Sequence, residues 1–299
     1  MSYNTFSQAV NYCIQQKLEG KSVPWSTIAN ECGVHPEKLR GKVRRRFNTK
    51  KEHLPLNKFS KTHKTQKPKV SKKPYTKGKK ENVLVIGDLH EPFSLDDYLD
   101  KCRDIQEKYE CGTVIQIGDL IDAHAWSFHT PDPDGLSVGD ELDQAVSRLS
   151  KLWHLFPTGI CTIGNHDERI IRKAFDSGLS RRFLKDFSEI VEAPKDWEFT
   201  DYKIINGIYY FHGTGASGQN AAFNQAKTHR MSVVMGHIHT HSYVRFHNSM
   251  AGQIFAMQVG TGINEDEYAF QYSKHTPEKS AINCGVILDN GKLPIIIPV

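Results

Sequence analysis

The stretch Val83-Leu84-Val85-Ile86-Gly87-Asp88-Leu89-His90 opens with four apolar residues and closes on an aspartate and a histidine separated by one position. Two later stretches repeat the form: Thr113 to Ile117 runs into Gly118-Asp119-Leu120-Ile121-Asp122, and Ile160 to Ile163 runs into Gly164-Asn165-His166-Asp167-Glu168. Short apolar runs of this kind read as buried strands. The acids, amide and histidines therefore sit just past strand ends, where open α/β sheets put their ligands. Two histidine motifs follow, His212 within Phe211-His212-Gly213-Thr214, and Gly236-His237-Ile238-His239.

Side chains two apart on extended backbone point the same way. Asp88 with His90, and His237 with His239, can thus each aim two donors at one pocket. Imidazole suits first-row transition metals, whereas carboxylate and amide oxygens suit harder ions such as Mn²⁺ or Mg²⁺. Three oxygen donors (Asp88, Asp119, Asn165) and four imidazoles (His90, His212, His237, His239) point to two ions.

In this order, D-x-H, G-D-x-x-D, G-N-H-D/E, H and G-H-x-H closely resemble the motifs of calcineurin-like metallophosphoesterases, from about Val83 to about His241. The compact arrangement also resembles members of that family encoded by bacteriophages. The resemblance implies an α/β fold, a four-layer α/β/β/α sandwich with both metals at one edge of the paired sheets. Carried over residue by residue, it implies that Asp88, His90 and His239 hold one metal, that Asn165, His212 and His237 hold the other, and that Asp119 bridges them. The cofactors implied are two divalent ions, Mn²⁺ foremost, with Fe, Zn²⁺, Ni²⁺ and Mg²⁺ open to the same donors. The chemistry implied is phosphoester hydrolysis by attack of a metal-bridging hydroxide. His166 matches the family's candidate for protonating the departing oxygen, with the adjacent Asp167 expected to hold its tautomer. The family's G-D-x-x-D-R form is absent, since Ala123 follows Asp122, so no arginine grips phosphate from that position.

At 299 residues, with 38% hydrophobic and 24% charged, the chain can bury a substantial core. No apolar run approaches the roughly 20 residues that span a bilayer, and Met1-Ser2-Tyr3-Asn4 lacks a signal-peptide pattern. A cytoplasmic protein without a membrane partner is expected, in a host cytoplasm if a phage encodes it. The six cysteines are scattered, without metal-site or disulfide spacing, and read as core thiols in a reducing compartment.

A net charge of +5 conceals an asymmetry. Residues 38–80 hold 18 Lys and Arg against one acid, while residues 81–299 hold 19 against 30. Residues 1–47 read as a small all-α helix-turn-helix module. One helix carries Phe6, Ala9, Val10, Cys13 and Ile14; a second begins near Pro24 and stops at Cys32-Gly33; a third opens at Pro36 and runs through Arg46. In the third, Leu39, Val43 and Phe47 are expected to face inward, leaving Lys38, Lys42, Arg45 and Arg46 outside for nucleic-acid phosphates. DNA is the expected partner, and a homodimer would suit this geometry. Residues 48–81, with 12 lysines and three prolines, read as a flexible linker.

Residues 82–299 form the catalytic domain, with strands expected at 83–86, 113–117, 160–163, 207–211, 232–235, 242–246, 254–259 and 284–288, and helices at 96–109 and 140–155. Residues 123–139, carrying Trp126 and His129, read as a long loop near the metals, and Trp126 suits a core anchor as well as a substrate contact. Arg169, Arg172, Arg181 and Arg182 suit a solvated surface as well as a substrate-facing one. Three functions fit: a DNA-directed nuclease, a phosphomonoesterase acting on proteins or small molecules, or a DNA-binding regulatory protein with a secondary phosphoesterase domain.

Overall fold

In the computed structural model the N-terminal helices are α1 (Phe6–Leu18), α2 (Trp25–Glu31) and α3 (Pro36–Glu52). The structure describes residues 6–18, 22–52, 68, 70–128, 135–267, 269–270 and 277–299, with side chains left out at 18 and 45–52. The chain divides into two units, residues 1–62 and 63–299.

Proline opens α3, where its missing N–H costs nothing. Gly33, at φ +62°, turns the chain between α2 and α3. Ala9, Val10, Cys13 and Ile14 of α1 meet Ile28 and Ala29 of α2 and Leu39 and Val43 of α3 in a small buried core. Lys38 and Lys42 are exposed, as expected. The side chains of Arg45, Arg46 and Phe47 lie outside the described residues, and α3, expected through Arg46, continues to Glu52.

The linker expected at 48–81 needs correction at its far end. Residues 53–67 and 69 lie outside the described residues, but 70–78 are anchored to the second unit. Val70 packs on its core, Lys72 Nζ donates to Asp100 O at 3.2 Å, and Arg103 Nε donates to Lys73 O at 2.8 Å. The Arg103 guanidinium lies 5.3 Å over the Tyr75 ring. The lysine-rich composition concealed a segment in which Lys72 pairs with Asp104 of the following helix and Lys73 accepts from Arg103 through its carbonyl.

The second unit runs β1 (Lys79–Ile86), α4 (Tyr98–Lys108), β2 (Cys111–Gln116), α5 (Val138–Leu155), β3 (Gly159–Thr162), α6 (Arg169–Asp176), α7 (Phe187–Ile190), β4 (Trp197–Thr200), β5 (Tyr202–Ile205), β6 (Ile208–Phe211), α8 (Ala221–His229), β7 (Ser232–Met235), β8 (Tyr243–Ser249), β9 (Gly252–Gln258), β10 (Asn283–Leu288) and β11 (Leu293–Pro298). One sheet has the order β11-β10-β1-β2-β3-β4 and the other β5-β6-β7-β9-β8. Alternation along β1 shows the layering. Val83 and Val85 enter a core shared with Ile208, Tyr210, Val234 and Met257 of the second sheet, while Leu84 and Ile86 enter one shared with Leu99 and Cys102 of α4 and Leu149 and Leu152 of α5. Ala222 and Ala226 of α8 cover the far side of the second sheet against Val233 and Ala256. Helices, sheet, sheet and helix thus stack in four layers.

β1, β2 and β3 are mutually parallel, as are β6 and β7. Each of the five motifs follows the C-terminal end of one of these strands, which gathers the donors along one edge. Among the described residues no helix is long and apolar enough to cross a membrane. All six cysteines are free thiols, five of them buried and Cys32 half-buried.

Candidate metal centre

Asp88, buried just past β1, is held by the last motif: His237 N–H donates to its Oδ2 at 2.9 Å, and His239 Nε2 lies 3.2 Å from the same oxygen. His90 Nδ1 meets Asp122 Oδ1 at 2.8 Å. That contact leaves His90 Nε2 to face inward, 3.1 Å from His239 Nε2 and 3.5 Å from Asp119 Oδ2. His212 is oriented in the same way, since its Nδ1–H donates to Ile117 O at 3.0 Å. Its Nε2 then sits 3.2 Å from Asp119 Oδ2 and 3.1 Å from Asn165 Oδ1. A hydrogen bond on one imidazole nitrogen fixes which nitrogen is left for a ligand, and carboxylates or carbonyls behind metal-binding histidines do this commonly.

Among the described residues two donor clusters contain the expected ligands, Asp88, His90, Asp119 and His239, and Asp119, His212 and His237, and a third joins His90 to Asp122 and His166, with the donor atoms of each within 4.8 Å of one another. Asn165 joins the second through His212. Asp119 belongs to the first two. All seven residues assigned by resemblance are therefore brought together, in the expected grouping.

The arrangement fits cations. Asp88 Oδ1 is buried and has no hydrogen-bond partner, an arrangement costly for an anion unless something positive meets it. Two nitrogens bound to one ion at about 2.1 Å lie about 3.0–3.4 Å apart, the separation of His90 and His239 here. Burial opposes charge on His212, yet Asp119 and Asp88 carry its pKa up to about 10. Burial likewise opposes ionisation of Asp119, and His212, His166 and His90 still hold its carboxyl well below the usual range. Dense negative charge inside a dry pocket is what divalent ions offset.

Ligand loops interlock through their glycines. A Cβ on Gly164 would collide with Asp119 Oδ1, and one on Gly236 with Asp88 Oδ1. His90, Asp119 and His237 sit at φ of 50°, 49° and 71°, a left-handed backbone that costs roughly 1–2 kcal/mol per non-glycine residue. Such strain persists where packing over-determines it and clusters at functional sites.

His166 lies beside the first cluster, its ring 4.4 Å from that of His90. The expectation that Asp167 holds it is corrected. Asp167 accepts from Leu120 N at 2.9 Å, Ile121 N at 3.2 Å and Gly164 N at 2.9 Å, tying two motif loops together, and burial pushes its carboxyl up to about 7. Asp122 takes the place assigned to Asp167, its backbone O 2.7 Å and its Oδ1 3.2 Å from His166 Nδ1. Adjacency in sequence misled, because consecutive residues in this loop point to opposite sides.

Arg169 was missed. Its Nη1 donates to Asp122 O at 2.8 Å and Ala123 O at 3.4 Å, and its Nη2 lies 2.9 Å from His166 Nε2. An arginine has only donors, so His166 Nε2 accepts and its proton is on Nδ1. The motif lacks an arginine at 123, and a guanidinium reaches the same backbone from α6. Position three after His166, at a helix start, was the available signal.

The calcineurin-like phosphoesterase family model matches residues 81–255, and the chain belongs to that family. Solved structures similar to it include a Vps29 single mutant from Entamoeba histolytica (14% identity, 72% of this chain and 89% of that one, TM-score 0.35). Others are the phosphoesterase Yfce from E. coli (12%, 70% and 88%, TM-score 0.33) and the nuclease MPE from Pseudomonas putida (10%, 74% and 88%, TM-score 0.32). No curated protein matches the sequence. Family membership together with the donor cluster supports a metal-dependent hydrolase.

Proposed function

We propose that this protein is a dimetal-dependent phosphodiesterase directed to DNA, a nuclease. The observation that carries the choice of substrate is the division of charge. Residues 81–299, with 30 acids against 19 Lys and Arg, would repel a polyanion, whereas residues 38–80 hold 18 Lys and Arg against one acid. Basic segments bind nucleic acid by releasing its counterions, and Lys38 and Lys42 are exposed on a helix that follows a glycine-containing turn.

Asp88, His90, His239 and Asp119 would hold one divalent cation, and Asp119, Asn165, His212 and His237 the other. When bound, the pair supplies Lewis-acid polarisation of the phosphate and activation of water. The Nδ1 contacts of His90 with Asp122 and of His212 with Ile117 O turn their Nε2 atoms inward, as the nitrogens that would face the cations. Arg169 must first release His166 Nε2, because an N–H cannot donate to a protonated ring nitrogen; Nε2 then takes up a proton from solvent, a charged ring that burial opposes but Asp119 and Asp122 favour, and passes it to the departing oxygen. The guanidinium so released is then free to pair with a non-bridging phosphate oxygen.

Supercoiled plasmid incubated with full-length protein and Mn²⁺, beside Asp119→Ala, tests this. Nicking by wild type alone is expected. Plasmid and a single-stranded DNA circle both left intact by a preparation that hydrolyses p-nitrophenyl phosphate would overturn the nuclease reading in favour of a phosphomonoesterase.

A further inference from the structure

We infer that the surface of α6 and the segment after it, residues 169–185, binds a single strand of nucleic acid and leads it to the metal centre; this rests on the nuclease reading. Within an acidic unit this segment stands out, with six Lys and Arg against one Asp. It is also rich in exposed aromatic side chains, Phe175 being 54% and Phe183 79% exposed.

The cations form a path. Arg169 touches His166 at the centre. Arg172 and Lys173 lie about one turn further along α6, on the side-chain neighbourhood that i, i+3 and i, i+4 spacing defines. Both sit over Phe128, with Arg172 Cζ 4.5 Å and Lys173 Nζ 4.2 Å from the ring centroid, and Phe128 is itself 46% exposed. Beside them an open groove is lined by Trp126, Lys173, Leu179 and Leu184.

Cations interleaved with exposed aromatic rings match an unpaired strand in both its parts. Phosphates take the charges, and splayed bases stack on the rings. A duplex offers this surface only phosphates, because its bases are already stacked on one another. An acidic peptide would meet the cations and leave the aromatic rings without planar partners.

The test uses full-length protein with Mn²⁺, a labelled oligothymidylate, a hairpin duplex of equal length, and bis(p-nitrophenyl) phosphate as the small diester. Wild type is expected to show a KM for the single strand about tenfold or more below that for the duplex. Arg172→Glu with Lys173→Glu should raise that KM at least tenfold with little change in kcat, and Phe128→Ala should raise it about 5- to 100-fold. The loss in kcat/KM on the oligonucleotide should exceed that on the small diester at least tenfold. An unchanged KM in both variants, a wild-type preference for duplex, or equal competition by poly-glutamate would each overturn the inference. Wild type that hydrolyses the small diester but cuts no nucleic acid would instead remove the nuclease reading, and this inference with it.

Discussion

The metal centre gathers residues from far apart in the chain, with His90 facing His239 across 149 positions, whereas the N-terminal unit buries Ala9, Ile14, Ile28 and Leu39 against one another within one short stretch. The first is acidic and rigidly specified by donor chemistry; the second is basic on its exposed third helix and specified mainly by a hydrophobic period. A reaction centre demands particular atoms at particular places, while a polyanion-binding surface demands only sufficient positive charge. Recruitment and reaction should therefore be separable by substitution.

The severest break should come from Asp119→Ala, which removes the carboxylate common to both donor clusters. Its kcat/KM on a small diester should fall by about three orders of magnitude or more, on the order of 4 kcal/mol, while gel-shift affinity for DNA stays with the basic region. A parallel loss of DNA affinity would show that the two regions are not independent. Next comes His166→Ala, expected to retain metal by elemental analysis and to lose about 10²-fold in turnover. Near wild-type rates would reassign the proton donor. Asp122→Asn should weaken metal affinity by roughly 10- to 100-fold, because it loosens the imidazole of His90, as calorimetric titration with Mn²⁺ can read. In the other region, Leu39→Ala opens a fully buried position and should cost about 2–5 kcal/mol. That is enough to melt the small unit alone, seen as loss of one thermal transition with diester hydrolysis intact. Smallest is Lys38→Ala with Lys42→Ala, which should flatten the slope of log K against log salt by about 1.8 if each lysine meets one phosphate. An unaltered slope would move the DNA contact off α3.

The centre was legible in the sequence because each ligand follows an apolar run, and because ligand chemistry restricts the residue types allowed there. The grouping of the seven ligands and the two-sheet sandwich were implied by the resemblance of the motifs to a family, whereas the three N-terminal helices follow from their hydrophobic period. Other parts left weaker traces. β4, Trp197–Thr200, is only four residues long, too short for a period to register. β11 carries Pro294 and Pro298, which argue against a strand, and it is tolerated because it lies at the sheet's edge beside β10. The anchoring of 70–78 was hidden by lysines, whose partners Asp100 and Asp104 belong to α4. The functions of Asp122 and Arg169 were illegible because they depend on which way a turn faces, and sequence adjacency favoured Asp167 instead.

The joining of both sheets at one edge also sets a timetable. A chain emerging from the ribosome presents Asp88, His90, Asp119, Asn165 and His212 before the motif at 236–239 exists. His237 N–H holds Asp88 in place, and His239 faces His90 across the first cluster. A prematurely terminated product ending before that motif would be left with an incomplete centre, so the full donor set arrives only once residues 236–239 have been made. For a metal-dependent hydrolase, late assembly acts as a safeguard: abortive fragments would be born without a complete donor set.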